Sequence, residues 1–424
     1  MKGLIFTYAL TYGGSLAALI NPFYGLLIYV CFAIIRPESL WHWSVPVGNY
    51  SRIIGIALLV GWALNGFGIW YFGRARMIVF SLCGALAWMA FAAFWALDQQ
   101  LAWSRVEEYA KIVLPFLVGM TTIRSLKQVY ILAWVIFASQ GYLALEMNLA
   151  YLDGFNFVRE SGFAQLDNNG VAITMVGGAG LAFFLGLCET NRIRQWIAFI
   201  AAGLMAHVVL FSNSRGGMLA LLITGGLTFF LVRKKAAHYA FFALAVAIGL
   251  RLAGPETVDR FMTIFVDEEE RDSSAESRIG LSKTCLEIMA KSPLAGVGPA
   301  HFRVHSHEYG WPRGKDGHTT WLQFGAETGI PGMLFLLTFY FATMHRGWRI
   351  IRADDPNLAL HADIMRMVIC SLIGYMIAAQ FVTMYGVELS YYVALVGATT
   401  VKIASLATDE VYATQYFYAP ARAI

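Results

Sequence analysis

HTTWLQFGAETGIPGMLFLLTFYFATM, residues 318–344, starts at the end of the one long polar segment of the chain and runs directly into an apolar stretch. An uncharged apolar run near or above roughly 18–20 residues crosses a bilayer as a helix, because a helix satisfies its own backbone in lipid. His318 therefore stands at the mouth of a membrane span. An imidazole there meets both lipid and water and can titrate near neutral pH.

Runs of the same kind recur on both sides of this one. The chain is 58% hydrophobic and only 14% charged, with 15% aromatics, and its mean hydropathy is +0.58. A soluble domain carries about a quarter charged residues. Spans are expected at 4–20, 22–36, 52–70, 77–96, 110–123, 128–147, 168–188, 195–212, 216–232, 237–252, 319–344, 363–384 and 389–407. The first two are short and joined only by Asn21-Pro22, so the count is 12 or 13. The runs are continuously apolar rather than alternating, which disfavours a β-barrel. The fold expected is all-α: a polytopic transmembrane helical bundle with one large helical loop. It divides into membrane helices over 1–252, the loop over 253–317, and further membrane helices with a cytoplasmic tail over 318–424. The opening lacks a small-residue cleavage site and leads straight into membrane, so no cleavable signal is expected. The five cysteines show no metal-ligand spacing, and the net charge of +4 comes with no basic, aromatic-interleaved stripe for nucleic acid.

Basic residues set the orientation. Arg74 and Arg76, Arg124 and Lys127, Arg192 and Arg194, Arg233-Lys234-Lys235, and Arg346, Arg349 and Arg352 fall in alternate loops. The positive-inside rule puts those loops in the cytoplasm. Loops 37–51, 97–109, 148–167, 212–216 and 253–317 then face outward. Residues 98–111 (DQQLAWSRVEEYAK) have the spacing of an interfacial helix lying on the outer surface, or of a solvated helix end.

The 253–317 loop holds about a third of the chain's charged side chains. Asp267-Glu268-Glu269-Glu270 reads as a solvated acidic turn rather than a metal site. Residues 274–291 read as an amphipathic helix with Ile279, Leu286 and Met289 at helical spacing. Ser292-Pro293 stops it, and Gly296-Val297-Gly298-Pro299 turns the chain.

Several outward polar groups are candidates for chemistry. Arg215, in Ser212-Asn213-Ser214-Arg215-Gly216-Gly217, is either a snorkelling helix-end arginine or a ligand group on the side where arginines are disfavoured. The two glycines after it would let a ligand approach closely. Arg278, near the start of the loop helix, is explained as well by a surface pair with Glu276 or Asp272 as by a binding role, and Arg159 is a third outward arginine. Guanidinium forks suit phosphate oxygens, and a diphosphate calls for two. Asp167-Asn168-Asn169-Gly170 reads as a helix N-cap, and Asp167 and Asn169 could also receive sugar hydroxyls. His301, His305 and His307 crowd the loop with spacing that fits zinc poorly. Tyr385-Gly386-Val387-Glu388 adds an outer carboxylate with nothing specific to it.

Taken together, these motifs resemble the O-antigen ligase and polymerase superfamily. They are His318 before an aromatic-rich turn, Glu327-Thr328-Gly329-Ile330-Pro331-Gly332 entering a span, Ser214-Arg215-Gly216 opening an earlier one, Arg278 in the loop helix, and Pro293-Leu294-Ala295-Gly296-Val297-Gly298 before the histidine. The resemblance covers about 205–345. Asp167-Asn168-Asn169 and Pro22-Phe23-Tyr24-Gly25-Leu26-Leu27 extend it towards the O-glycosylation ligases associated with exosortase systems in Gram-negative bacteria. It implies a multi-pass enzyme of the bacterial inner membrane with its site facing the periplasm. Such an enzyme moves a glycan from undecaprenyl diphosphate to a glycan, lipid or protein acceptor such as a lipid A core oligosaccharide, without metal or other cofactor. It also implies that His318 is the essential histidine and that Arg215 and Arg278 bind the diphosphate. Thr319 stands where the ligase pattern often has Asn, Ser or Gln. A polymerase using a second lipid-linked repeat unit is the nearest alternative. A lipid-linked oligosaccharide transporter would carry mid-membrane charges or internal repeats, and a scaffold would leave the outward Arg–Arg–His set without a use.

Overall fold

The structure is a computed structural model that describes residues 2–232, 239–240, 242–244, 247, 251 and 273–417, with side chains in the last stretch described over 276–406. The span expected at 237–252 lies largely outside the described residues. The basic turn 233–235 and the acidic turn 267–270 lie wholly outside them.

Among the described residues there is no strand beyond one isolated bridge, Phe163 to Leu166. The bundle consists of α1 (Lys2–Ile20), α2 (Pro22–Ile35), α3 (Tyr50–Leu64), α4 (Arg76–Ala93), α5 (Gln99–Thr122), α6 (Leu126–Leu152), α7 (Asn168–Cys188), α8 (Arg192–Phe211), α9 (Arg215–Leu231), α10 (Ser273–Lys291), α11 (Thr320–Ala353), α12 (Ala359–Ala378) and α13 (Glu388–Phe417). Nine described helices are long and apolar enough to cross a membrane, and α3 and α9 are shorter apolar helices. This is the all-α polytopic bundle expected.

The opening pair is a full antiparallel hairpin. Asn21 caps α2 by accepting from Phe23 N at 3.0 Å, with Pro22 in the first turn. Gly25 packs on Ala18, Gly14 on Ile28, and Gly3 lies under Trp41. Lys2–Ile20 and Pro22–Leu40 each have the length and hydropathy of a span; α1 is about 28 Å long, whereas α2 is regular for 14 residues, about 21 Å, before Arg36 turns the chain. The chain therefore begins on the face that carries residues 36–49.

That face also carries the remaining loops expected to lie outside, and contacts between them show it. Arg36 donates to Ala164 O (2.8 Å), Asp98 N to His301 Nε2 (2.8 Å), Asn168 Nδ2 to Ser212 O (2.9 Å), and Thr320 N to Ala379 O (2.9 Å). On the opposite face Arg74 N meets Ser405 Oγ, and Lys402 Nζ donates to Met120 O and Ile123 O. The arginine-rich loops thus share one side and the His318 loop lies on the other.

One expectation is narrowed and another needs correction. Residues 98–111 form no separate surface helix; the helix-end alternative holds, and they are the first half of α5, which runs unbroken from its Asp98 cap to Thr122. The buried stripe Ala102, Val106, Tyr109, Ile112, Val113 and Phe116 stays in phase through the charged half, so the whole helix packs into the bundle. In α10 the buried face is Leu281, Cys285, Ile288 and Met289, against Phe302 and Ala326, whereas Ile279 and Leu286 are exposed. Those four residues form a tighter i, i+4, i+7, i+8 row than the three first selected.

Helix α11 breaks at Gly329 (φ 78°, ψ 174°), and the 293–300 turn fills the break. Ile330 N donates to Pro293 O (2.8 Å), Val297 N to Ala326 O (2.9 Å) and Gly298 N to Glu327 O (2.9 Å). Trp88 Nε1 lies 3.0 Å from both Leu294 O and Thr328 O. Backbone groups freed by the kink are therefore satisfied inside protein, as lipid depth requires.

Candidate functional site

Three helices begin side by side on the His318 face. Asp167 caps α7, its Oδ1 accepting from Gly170 N at 2.8 Å, while Oδ2 holds Asn169 Nδ2 at 3.1 Å. Ser214 caps α9, accepting from Gly217 N and donating to Asn169 Oδ1 at 2.8 Å. The third start is that of α11, where Thr320 Oγ1 donates to Val382 O (2.7 Å) and accepts from Met384 N (2.9 Å). The 379–387 loop gathers all three, because Phe381 also packs on Gly216 and Met384 on Gly170. Asp167, Asn169, Arg215 and His318 are thereby grouped around one loop, with three positive helix-dipole ends on the same side. Such ends favour anions.

The two glycines after Arg215 do not open space for a ligand. A Cβ on Gly216 would strike Phe381, and one on Gly217 would strike Ala172. They are small so that the helix starts can pack together. Arg215 itself is half-buried at the first turn of α9.

His318 adopts a left-handed backbone (φ 51°), a conformation that costs a non-glycine residue energy and that clusters at functional sites. The ring is half-buried. Burial pushes its pKa below the ordinary imidazole value, Arg278 and Lys315 push it further down, and Asp316 and Asp167 oppose them. His318, Arg278 and Asp167 are thus electrostatic neighbours although they lie on three separate elements. The ring is poised neutral, with a lone pair available to accept a proton.

The strained turn is held from the bundle side by Gln323. Its Oε1 accepts from Gly317 N (2.6 Å) and Thr383 Oγ1 (2.6 Å), and its Nε2 donates to Glu327 Oε1 (3.0 Å) and Asp316 Oδ1 (3.3 Å). Both ends of this buried amide are engaged twice. Glu327, 1% exposed, in turn accepts from Ala300 N (2.9 Å) and Tyr385 OH (2.5 Å). Gln323 was not singled out in the sequence, and Glu327 entered only as part of the motif before the span, since Thr383, Tyr385 and Ala300 are brought to them by other segments.

Beyond residue 316 lies a cleft of about 810 Å³, within the usual range of small-ligand sites. Three ion pairs line it, Arg36 with Glu388 (3.1 Å), Arg105 with Glu108 (2.8 Å), and Arg303 with Asp316 through a two-point contact, and Glu38 adds a carboxylate whose Oε2 is buried. Arg105 also lies 5.7 Å over the Tyr385 ring. The outer carboxylate Glu388, unremarkable in sequence, thus has a specific partner.

Arg159 is exposed in the short turn Phe157–Glu160, which Asn156 holds against Phe211 O; no contact described here joins it to the His318 turn. His301 is buried, with Nδ1 on Pro299 O and Nε2 accepting from Asp98 N, so it ties the loop to the start of α5. Among the described residues no group of His, Cys, Asp or Glu is arranged to hold a metal ion.

Residues 200–337 match the family model described as O-Antigen ligase. This stretch runs from within α8 to within α11 and contains Arg215, Arg278 and His318. It agrees with the superfamily resemblance and supports a membrane enzyme of the O-antigen ligase or polymerase type. No curated protein matches the chain.

Proposed function

We propose that this chain is an inner-membrane ligase, of the kind associated with exosortase systems, whose site opens to the periplasm. It transfers a glycan from undecaprenyl diphosphate to an acceptor hydroxyl. The observation that carries the reading is the neutral, strained His318 beside Arg278 and three converging helix starts.

The chemistry follows from that arrangement. His318 takes the proton as the acceptor oxygen attacks the anomeric carbon. The bond from that carbon to the diphosphate oxygen breaks, and undecaprenyl diphosphate leaves with added negative charge. Arg215, Arg278 and the dipole of α9 stabilise that charge where water is scarce. One displacement inverts the anomeric centre. Guanidinium groups take the part that a divalent ion plays elsewhere, so a chelator leaves the rate unchanged.

The cleft on the other side of residue 316 suits the acceptor. Paired guanidinium and carboxylate groups and a tyrosine edge exchange hydrogen bonds with hydroxyls, whereas an unpaired basic pocket would select an anion. Asp167 and Asn169, at the start of α7, are assigned to the glycan, and Arg159 is kept as a further glycan or acceptor contact.

Mass analysis of the products tests the reading against its nearest alternative. A ligase yields one block transferred to the acceptor; a ladder of repeats still on undecaprenyl diphosphate would make the chain a polymerase. With neither product, and with passage of the intact donor across the bilayer, the chain would be a transporter.

A further inference from the structure

On the face opposite His318, two adjoining hollows of about 470 and 180 Å³ share Arg74 and Arg346. Arg76 completes one lining and Arg349 the other, and among the described residues no carboxylate belongs to either. On the other face Arg36, Arg105 and Arg303 are, by contrast, paired with Glu388, Glu108 and Asp316. Among the described residues, none of these four guanidinium groups makes a comparable pair.

The hollow is built rather than incidental. Arg346 and Arg349 stand at i, i+3 on α11 and so share a side. Arg74 comes from the turn before α4 and Arg76 from the first position of α4, and that turn is tied down at both ends. Ile69 N donates to Thr121 O at the end of α5 (2.9 Å), and Arg74 N donates to Ser405 Oγ on α13 (3.2 Å). Gly73, at φ +49°, sits so tightly on Ser405 that no Cβ could be added. Trp70 and Tyr71, each about half exposed at 54% and 51%, rim the opening. Amphipathic rings at helix ends mark head-group depth in a bilayer.

We infer that Arg74, Arg76, Arg346 and Arg349 form a binding site for the phosphate head group of an anionic phospholipid. Basic pockets between membrane helices take such head groups, and each nearby guanidinium strengthens the attraction. The lipid would bridge the turn before α4 to the far end of α11. This inference is independent of the glycan-transfer reading.

The test uses the full chain in detergent, incubated with equimolar phosphatidylglycerol, cardiolipin and phosphatidylcholine and examined by native mass spectrometry. The wild type should retain the anionic lipids roughly tenfold over phosphatidylcholine. Arg74→Gln combined with Arg346→Gln should remove that preference, and Trp70→Ala should weaken it without changing charge. Arg192→Gln with Arg194→Gln, altering arginines elsewhere on the same face, should leave it intact. Equal loss in that control pair would reduce the effect to general surface charge and overturn the site. Full preference in the Arg74/Arg346 variant would overturn it as well. Thermal stabilisation by inorganic phosphate without lipid retention would show a soluble anion instead, and would refute the lipid assignment.

Discussion

In the proposed mechanism His318 acts through its neutral ring, and its surroundings make a signed prediction. Burial and Arg278 both lower the imidazole pKa. A reaction that needs the base form therefore loses activity as pH falls through a midpoint below about 6.5. Replacing Arg278 by Gln removes a neighbouring positive charge, so the pKa rises and the acid limb of the pH–rate profile moves to higher pH. A shift to lower pH would refute the assigned neighbourhood. Gln323 is a positioning residue in the same account, holding Gly317 one residue before the histidine. Gln323→Leu strands buried donors and acceptors at about 1–3 kcal/mol and should cut transfer about 100-fold. Binding of a lipid diphosphate should stay unchanged; a matching loss of donor affinity would show that Gln323 belongs to the donor site. His318 and Arg215 could be singled out as candidates because such groups are unusual at a membrane edge, and Arg278 was added to them by the family resemblance. Gln323 and Glu327 could not be singled out, since an amide and a carboxylate at the head of a span have meaning only through Gly317, Thr383 and Tyr385. Arg36 and Glu388 stand 352 positions apart.

Among the elements, α11 and α5 show where pattern reading succeeds and where it stops. Apolar runs located nearly every helix, because lipid demands them. The apolar spacing of 98–111 fitted either an interfacial helix or a helix end, and the stripe of α5 continuing in phase beneath the charges selects the helix end. The kink in α11 was visible only as a Gly-Ile-Pro-Gly motif, and its cause lies in the distant 293–300 turn that fills it. Gly329→Ala places a Cβ against Leu294 O at a left-handed φ. It should destabilise the protein by at least ~1–3 kcal/mol, with a lower Tm by fluorescence-detected size exclusion. Gly225→Ala, in α9 with open space around it, should be neutral or stabilising by up to ~1 kcal/mol. Equal Tm values for the two variants would contradict this account of the kink.

At the scale of the whole molecule, two chemically distinct faces bound the bundle. Alternation of basic loops predicted which loops lie together, and contacts such as Arg36 to Ala164 and Asp98 to His301 bear that out. The side of the N-terminus was not legible, because a hairpin of short runs could be either full or shallow. The packing of Gly3 beneath Trp41 puts the N-terminal end of α1 on the His318 face. Cysteines introduced at Val47, 99% exposed, and at Arg313 should react with a membrane-impermeant maleimide from the periplasmic side of intact spheroplasts. One at Ala353 should react only after lysis. The five native cysteines are buried or half-buried and give little background. Labelling at Ala353 in intact spheroplasts would reverse the orientation.

The central claim is that this membrane bundle joins a lipid-diphosphate donor to an acceptor at His318. Its most direct measurement is transfer in proteoliposomes holding the full chain, an undecaprenyl-diphosphate glycan and a lipid A core acceptor, with excess chelator present. The account predicts glycosylated acceptor and released undecaprenyl diphosphate with the wild type, and neither with His318→Ala although that variant still binds the donor. Near-normal transfer by His318→Ala would contradict it.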